Sequence, residues 1–203
     1  MKDPAFAKFV LFVNGLVPLV LLAWAVDQHR LGVDPTEYCL DTTGLIAVSF
    51  LILTLAVTPV RKLTGFNFLS HFRKTLGLFA FFYAVCHFSI YFIVQRDLSI
   101  PETIADVTKN KFILFGMLGL LVMIPLALTS TAGMIRRLGA RRWKLLHRLT
   151  YVAAIAGVVH YFYRFKTVHQ LPILYGAILA VLLLARVINI KKPVRQPSPR
   201  TLN

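Results

Sequence analysis

Charge is scarce in this chain, and acid is scarcer still. Only 15% of its 203 residues are Asp, Glu, Lys or Arg, and 8 acids stand against 23 bases. A soluble domain of this length carries far more charged surface, so that class is excluded. Cysteine is almost missing too, and two thiols, Cys39 and Cys86, cannot build a disulfide framework. Cys86 lies in an apolar segment and Cys39 in a polar stretch with the character of a loop, so both are expected to be free. No GxGxxG or P-loop pattern occurs, and no linker or second domain is visible, which removes an attached nucleotide-binding domain. The short alternating segments of a β-barrel are also lacking.

What the chain has instead is hydrophobic length. Six apolar runs, Phe9–Val26, Gly44–Val60, Leu76–Val94, Phe112–Leu128, Leu145–Phe162 and Leu171–Ile190, each approach the roughly 20 residues that cross a bilayer. They predict an all-α integral membrane protein, six transmembrane helices in one bundle over residues 1–190. The tail 191–203, KKPVRQPSPRTLN, is expected to be disordered because of its Pro and charge. The first run exceeds a signal h-region and no small-residue cleavage site follows it, so it is expected to stay as a span.

A net charge of +15 would suit nucleic acid, but the bases cluster between the apolar runs. That pattern is one of topology, with lipid and not nucleic acid as the surroundings. Only Arg30, Arg96, Lys109, Lys111, Arg164 and Lys166 fall on one side; the other 17 of the 23 bases fall with the two termini. The bias predicts both termini in the cytoplasm. All the acids except Asp3 fall on the opposite side. Pro18, Pro59 and Pro125 are tolerable inside membrane helices, and Gly116 and Gly119 suit close helix approach. Trp24, Trp143, Tyr161 and Tyr163 fit an interfacial belt.

Histidine inside hydrocarbon is costly and marks function. His87 is late in the third run and His160 late in the fifth, and both runs cross in the same direction. The two imidazoles therefore fall at one depth, where they can clamp one haem from its two faces. The competing reading is two lone histidines, each hydrogen-bonded across helices. His147 lies near the start of the fifth run, about 20 Å from His160 along a helix but about 140° around it. It is a ligand of a second haem, an alternative ligand, or an interfacial histidine. His71, about 160° from His87 on a continuous helix, is a further candidate ligand. Arg73 is only about 40° off the face of His87 and can reach a haem propionate or anchor the helix at headgroups. His29 and His169 belong to loops. A self-contained ferric or quinone reductase, and a proton-coupled transporter with a histidine relay, are the alternative functions.

From its first run to its sixth, the chain resembles the haem-binding membrane subunits of the bacterial periplasmic protein-methionine-sulfoxide reductase system, in the ferric reductase-like transmembrane superfamily. The resemblance is carried by LGVDPTEYCLDTTG, LTLAVTPVRKLTG, RKTLGLFAFFYAVCHFSIY and LTSTAGMIRRLGARRWKLLHRLTYVAAIAGVVHY. It implies an inner-membrane subunit with b-type haem held by His87, His147 and His160. The subunit itself is implied to be non-catalytic, passing electrons to a separate periplasmic molybdopterin-containing reductase that repairs oxidised methionine. The implied donors are the quinone pool or a cytoplasmic flavin reductase, with FMN as a further cofactor. Superfamily relatives usually supply two histidines from each of the third and fifth spans. Here Arg73 and Lys74 stand at one of those places, so the resemblance implies one haem, with a second at His147 as the alternative.

Overall fold

The computed structural model describes residues 4–165 and 169–190, and the tail 191–203 lies outside the described residues. Helix α1 (Pro4–Asp27) is followed by α2 (Pro35–Thr64) and a 3-10 turn (Asn67–His71). Helix α3 (Arg73–Ile90) ends in a π turn (Tyr91–Gln95); α4 (Ile100–Lys109), α5 (Lys111–Leu128), α6 (Ala132–Leu146), α7 (Leu149–Tyr163) and α8 (Gln170–Ile190) follow. No strand occurs among the described residues. Helices α1, α2, α5 and α8, and α3 with its π turn, are long and apolar enough to cross a membrane. A sixth candidate crossing is α7 with α6 before it, a pair bent by 44°.

Two expected boundaries are corrected. Helix α2 starts at Pro35, well before Gly44, because Asp34 caps it: its carboxylate accepts from the Glu37 amide at 2.9 Å. Proline just inside the start needs no N–H there. Cys39, expected in a loop, is thus buried within α2, and both cysteines are free. Gly65 closes the helix in the left-handed conformation (φ 75°) with its amide on the Arg61 carbonyl.

The run Leu145–Phe162 is not one helix either. It breaks at His147 and Arg148, so the side-chain angle between His147 and His160 on a continuous helix does not apply. The break has a tertiary cause. The His147 ring stacks on Trp143 at 4.0 Å, its Nε2 lies 3.2 Å from the Thr129 hydroxyl, and Trp143 Nε1 donates to the Thr129 carbonyl. These contacts pin the corner to the end of α5. The basic helix α6, itself interrupted at Gly139 (φ 75°), is left to run off at an angle.

Packing follows sequence neighbours only in part. Helix α2 lies along α3, and α5 along α7. Between these pairs, Val48, Leu51, Leu55, Ala80, Met123 and Ala153 form the buried core, joined by Leu179 of α8. Helix α1 is peripheral, burying only Gly15 and Leu22. The Tyr83 hydroxyl donates to the Gly15 carbonyl at 2.8 Å, which fastens α1 to α3. Most other large side chains of α1 and α8 face outward, as lipid-facing helices require.

Helix α4 is amphipathic, and no apolar run announced it. Tyr91 and Arg96 both donate to the Asp106 carboxylate, tying α4 to the π turn. The Tyr91 hydroxyl is the main cause holding the Asp106 carboxyl below its ordinary value; burial opposes it, and Arg96 reinforces it. A carboxyl depressed in the folded state stabilises the fold above the unfolded carboxylate range, and that contribution is lost as pH falls through it. The unfolding midpoint of the purified protein should therefore drop as pH falls from about 5 to about 3. Asp106→Asn should flatten that part of the profile, and an unchanged slope in the variant would rule Asp106 out as its source.

Candidate functional site

One cavity of about 460 Å³ runs between the two helix pairs, within the range cofactor pockets occupy. His87 enters it from α3 and His160 from α7. Their ring centroids are 5.8 Å apart, with planes at 84°. The chain thus brings together the two histidines whose depths matched in the sequence.

Each ring is fixed in the same way. His87 Nδ1 lies 3.0 Å from the Leu40 carbonyl of α2, and His160 Nδ1 lies 2.7 Å from the Phe112 carbonyl of α5. A carbonyl can only accept, so both Nδ1 atoms carry the proton and both Nε2 atoms keep a lone pair for a ligand. Phe112 also stacks on the His160 ring at 4.2 Å.

Both contacts depend on a glycine one turn beyond the carbonyl. A Cβ on Gly44 would sit 3.1 Å from the His87 ring, and one on Gly116 would sit 2.8 Å from the His160 ring. Helical Cα–Cβ bonds tilt toward the N-terminus, so the side chain at position i+4 covers the carbonyl at i. Glycine uncovers it. The spacing Leu40/Gly44 and Phe112/Gly116 is visible in the sequence, but only pairing with His87 and His160 reveals its purpose. Gly116 had been expected merely to ease helix approach.

The other candidates lie elsewhere. His147 belongs to the α6–α7 corner described above, and His71 sits exposed on the 3-10 turn with Nδ1 3.0 Å from the Phe68 carbonyl. Neither lines the cavity, nor does Arg73, which begins α3 near Arg186, Tyr151 and Arg61 at the opposite end. Arg164, a loop residue by sequence, does line it, with Glu37 and Asp41. Its Nε donates to Asp41 at 2.9 Å and its Nη2 to Glu37. Burial alone would lower the Arg164 pKa, but the Asp41 hydrogen bond and the charges of Asp41 and Glu37 outweigh it and raise it. The acids are 123 and 127 residues away in the chain, and no local signal connects them.

These features fit a haem. Imidazole–metal bonds of about 2 Å, plus roughly 1.1 Å from each nitrogen to its ring centre, place two axial rings about 6 Å apart. No cluster of three His, Cys, Asp or Glu suited to a bare metal ion occurs among the described residues. A haem iron needs only two protein ligands.

The family model described as "Ferric reductase like transmembrane component" matches residues 43–158. A relative from Herminiimonas arsenicoxydans, "Protein-methionine-sulfoxide reductase heme-binding subunit MsrQ", is 43% identical over 182 residues, 89% of this chain and 84% of its own. Proteins of the same name from Brucella anthropi and Ralstonia nicotianae are 42% and 40% identical, over 93% and 96% of this chain and 87% and 91% of theirs.

The glycine notches make a measurable difference. Gly116→Ala should crowd the His160 ring and destabilise the protein by about 1–3 kcal/mol, with Gly44→Ala costing less. Gly77→Ala is the control: its Cβ would meet Thr54 at 3.6 Å, an ordinary contact, and helix propensity should leave it neutral or stabilised. Thermal unfolding of the three variants checks the order. If Gly116→Ala proves as harmless as Gly77→Ala, the carbonyl notch is not what positions His160.

Proposed function

This chain belongs to the ferric reductase-like transmembrane family and, within it, to the haem-binding subunits of protein-methionine-sulfoxide reductase; from that membership we propose that His87 and His160 are the axial ligands of one b-type haem. The observation that carries the assignment is the pair of imidazoles at 5.8 Å, each with Nδ1 committed to a carbonyl and Nε2 left for iron. Haem supplies one-electron chemistry when bound. The chain's own residues do the rest. His87 and His160 would both hold the iron, which would favour electron transfer over oxygen binding. Leu40 and Phe112 set their tautomers and raise their basicity as ligands. Leu51, Met123 and Ala153 line the cavity with apolar surface that excludes water.

The distribution of bases supports an orientation with both termini in the cytoplasm of a bacterial inner membrane. In that orientation α6 and the 3-10 turn face the cytoplasm, while Glu37, Asp41, Arg164 and α4 face the periplasm. Electrons then enter from the cytoplasmic side and leave near the His87–His160 pair to a periplasmic molybdopterin-containing reductase acting on methionine sulfoxide. The quinone pool or a cytoplasmic flavin reductase as donor, and FMN as a further cofactor, rest on the family alone. His147 is assigned to the α6–α7 corner rather than to a second haem, because its Nε2 faces Thr129 and no second histidine faces it among the described residues.

A reduced-minus-oxidised absorption spectrum of the full-length, haem-supplied protein tests this directly. His87→Ala and His160→Ala should each abolish the b-type band, while His147→Ala and His71→Ala should keep it. A band that survives loss of His87 or His160, or that needs His147, would sink the axial assignment.

A further inference from the structure

Resting on the haem assignment above, we infer that Arg164, with the side-chain amides of Asn110 and Gln95, forms the clamp for the haem propionates. The cavity is polar at one end only. Leu51, Met123 and Ala153 line its inner part, whereas Arg164, Asn110 and Gln95 line the acid-bearing end. A haem is an apolar plate with two carboxylates on one edge. Burying an ionised carboxylate against apolar walls is far costlier than pairing it, so that edge turns toward the polar end.

The donors there are open. Arg164 spends Nε on Asp41 and Nη2 on Asp41 and Glu37, and its Nη1 has no hydrogen-bond partner among the described residues. Asn110 uses Oδ1 to cap the Phe112 amide at 3.0 Å, and its NH₂ group is likewise unpaired among the described residues. The Gln95 side chain makes no hydrogen bond among them either. Acceptor-only carboxylates are what such donors satisfy. Arg164 is also within electrostatic reach of both imidazoles, so the same guanidinium can meet a group anchored between them. The two acids hold the planar fork in place, leaving one edge for a further acceptor. Arg73, the earlier candidate for this role, is at the wrong end of the bundle.

The rival explanation is that Arg164 only ties α7 to α2 through its ion pairs. Comparing haem with its ester separates the two. Full-length protein purified without haem is reconstituted with protohaem IX or with protohaem IX dimethyl ester, whose propionates carry no charge. Loss of each to excess apomyoglobin is then followed by absorption. Arg164→Gln should speed loss of protohaem on the order of ten- to a hundredfold, the worth of a charge-assisted hydrogen bond. Arg164→Lys, which keeps the charge but not the fork, should fall between Arg164→Gln and the native protein. The ester should leave the native protein and both variants at one rate. Equal acceleration for haem and ester means a purely structural Arg164 and overturns the clamp, as does no acceleration of either. If the native protein takes up neither compound, or His87→Ala retains haem as tightly, the axial assignment itself has failed and the clamp falls with it.

Discussion

The bond from an imidazole Nδ1 to the carbonyl of a neighbouring helix is the interaction on which the site depends. An α-helical carbonyl already accepts the amide four residues on, and its second lone pair is usually covered by the side chain at that position. Gly44 and Gly116 remove the cover, so His87 and His160 bond to carbonyls that would otherwise be screened. In an apolar interior that bond satisfies a polar group that would be expensive to leave unmade. It also decides which nitrogen carries the proton. Packing would place each ring; only the hydrogen bond decides which nitrogen keeps a free lone pair.

The device occurs twice, and the repetition organises the bundle. His87 fastens α3 to α2, and His160 fastens α7 to α5, which are also the pairs in closest contact. The cavity lies between the pairs, so its two histidines belong to different helix pairs. The separation of their rings is then set by how the pairs meet at Val48, Leu51, Met123 and Ala153. A ligand held by both histidines would join the two pairs as a cross-link does, and stabilise the fold by mass action as well as perform chemistry.

Much of this was legible in the sequence because membrane physics is blunt. Long apolar runs announce crossings, and a histidine in hydrocarbon announces a site; that logic by itself pairs His87 with His160. It failed where tertiary contacts decide. The apolar residues after His147 conceal a break at which His147 and Trp143 both bond to Thr129, and Thr129 lies too far back in the chain to belong to any local pattern near His147. The start of α2 was hidden for a different reason. Asp34 and Pro35 are ordinary start signals, but PTEYCLDTTG is too polar to register as part of a span. Its helix turns Leu40, Asp41 and Gly44 into the cavity. Helix α4 was missed because ten amphipathic residues held by Asp106 make no hydrophobic run.

Arg164 shows how charge and topology combine at such a site. On the side of the bundle that is poor in bases, a guanidinium at the end of a span needs counterions to be tolerated, and α2 supplies two, Glu37 and Asp41, one helical turn apart. Two carboxylates around one guanidinium do more than neutralise the cation. They fix the direction of its fork, and a fixed fork offers its remaining edge to the cavity rather than to water. The inner end offers nothing comparable, being walled by Leu51, Met123 and Ala153. A flat ligand gripped at its centre by two imidazoles is still free to rotate about the axis joining them. That rotation is what an asymmetric cavity, polar at one end and dry at the other, is able to stop.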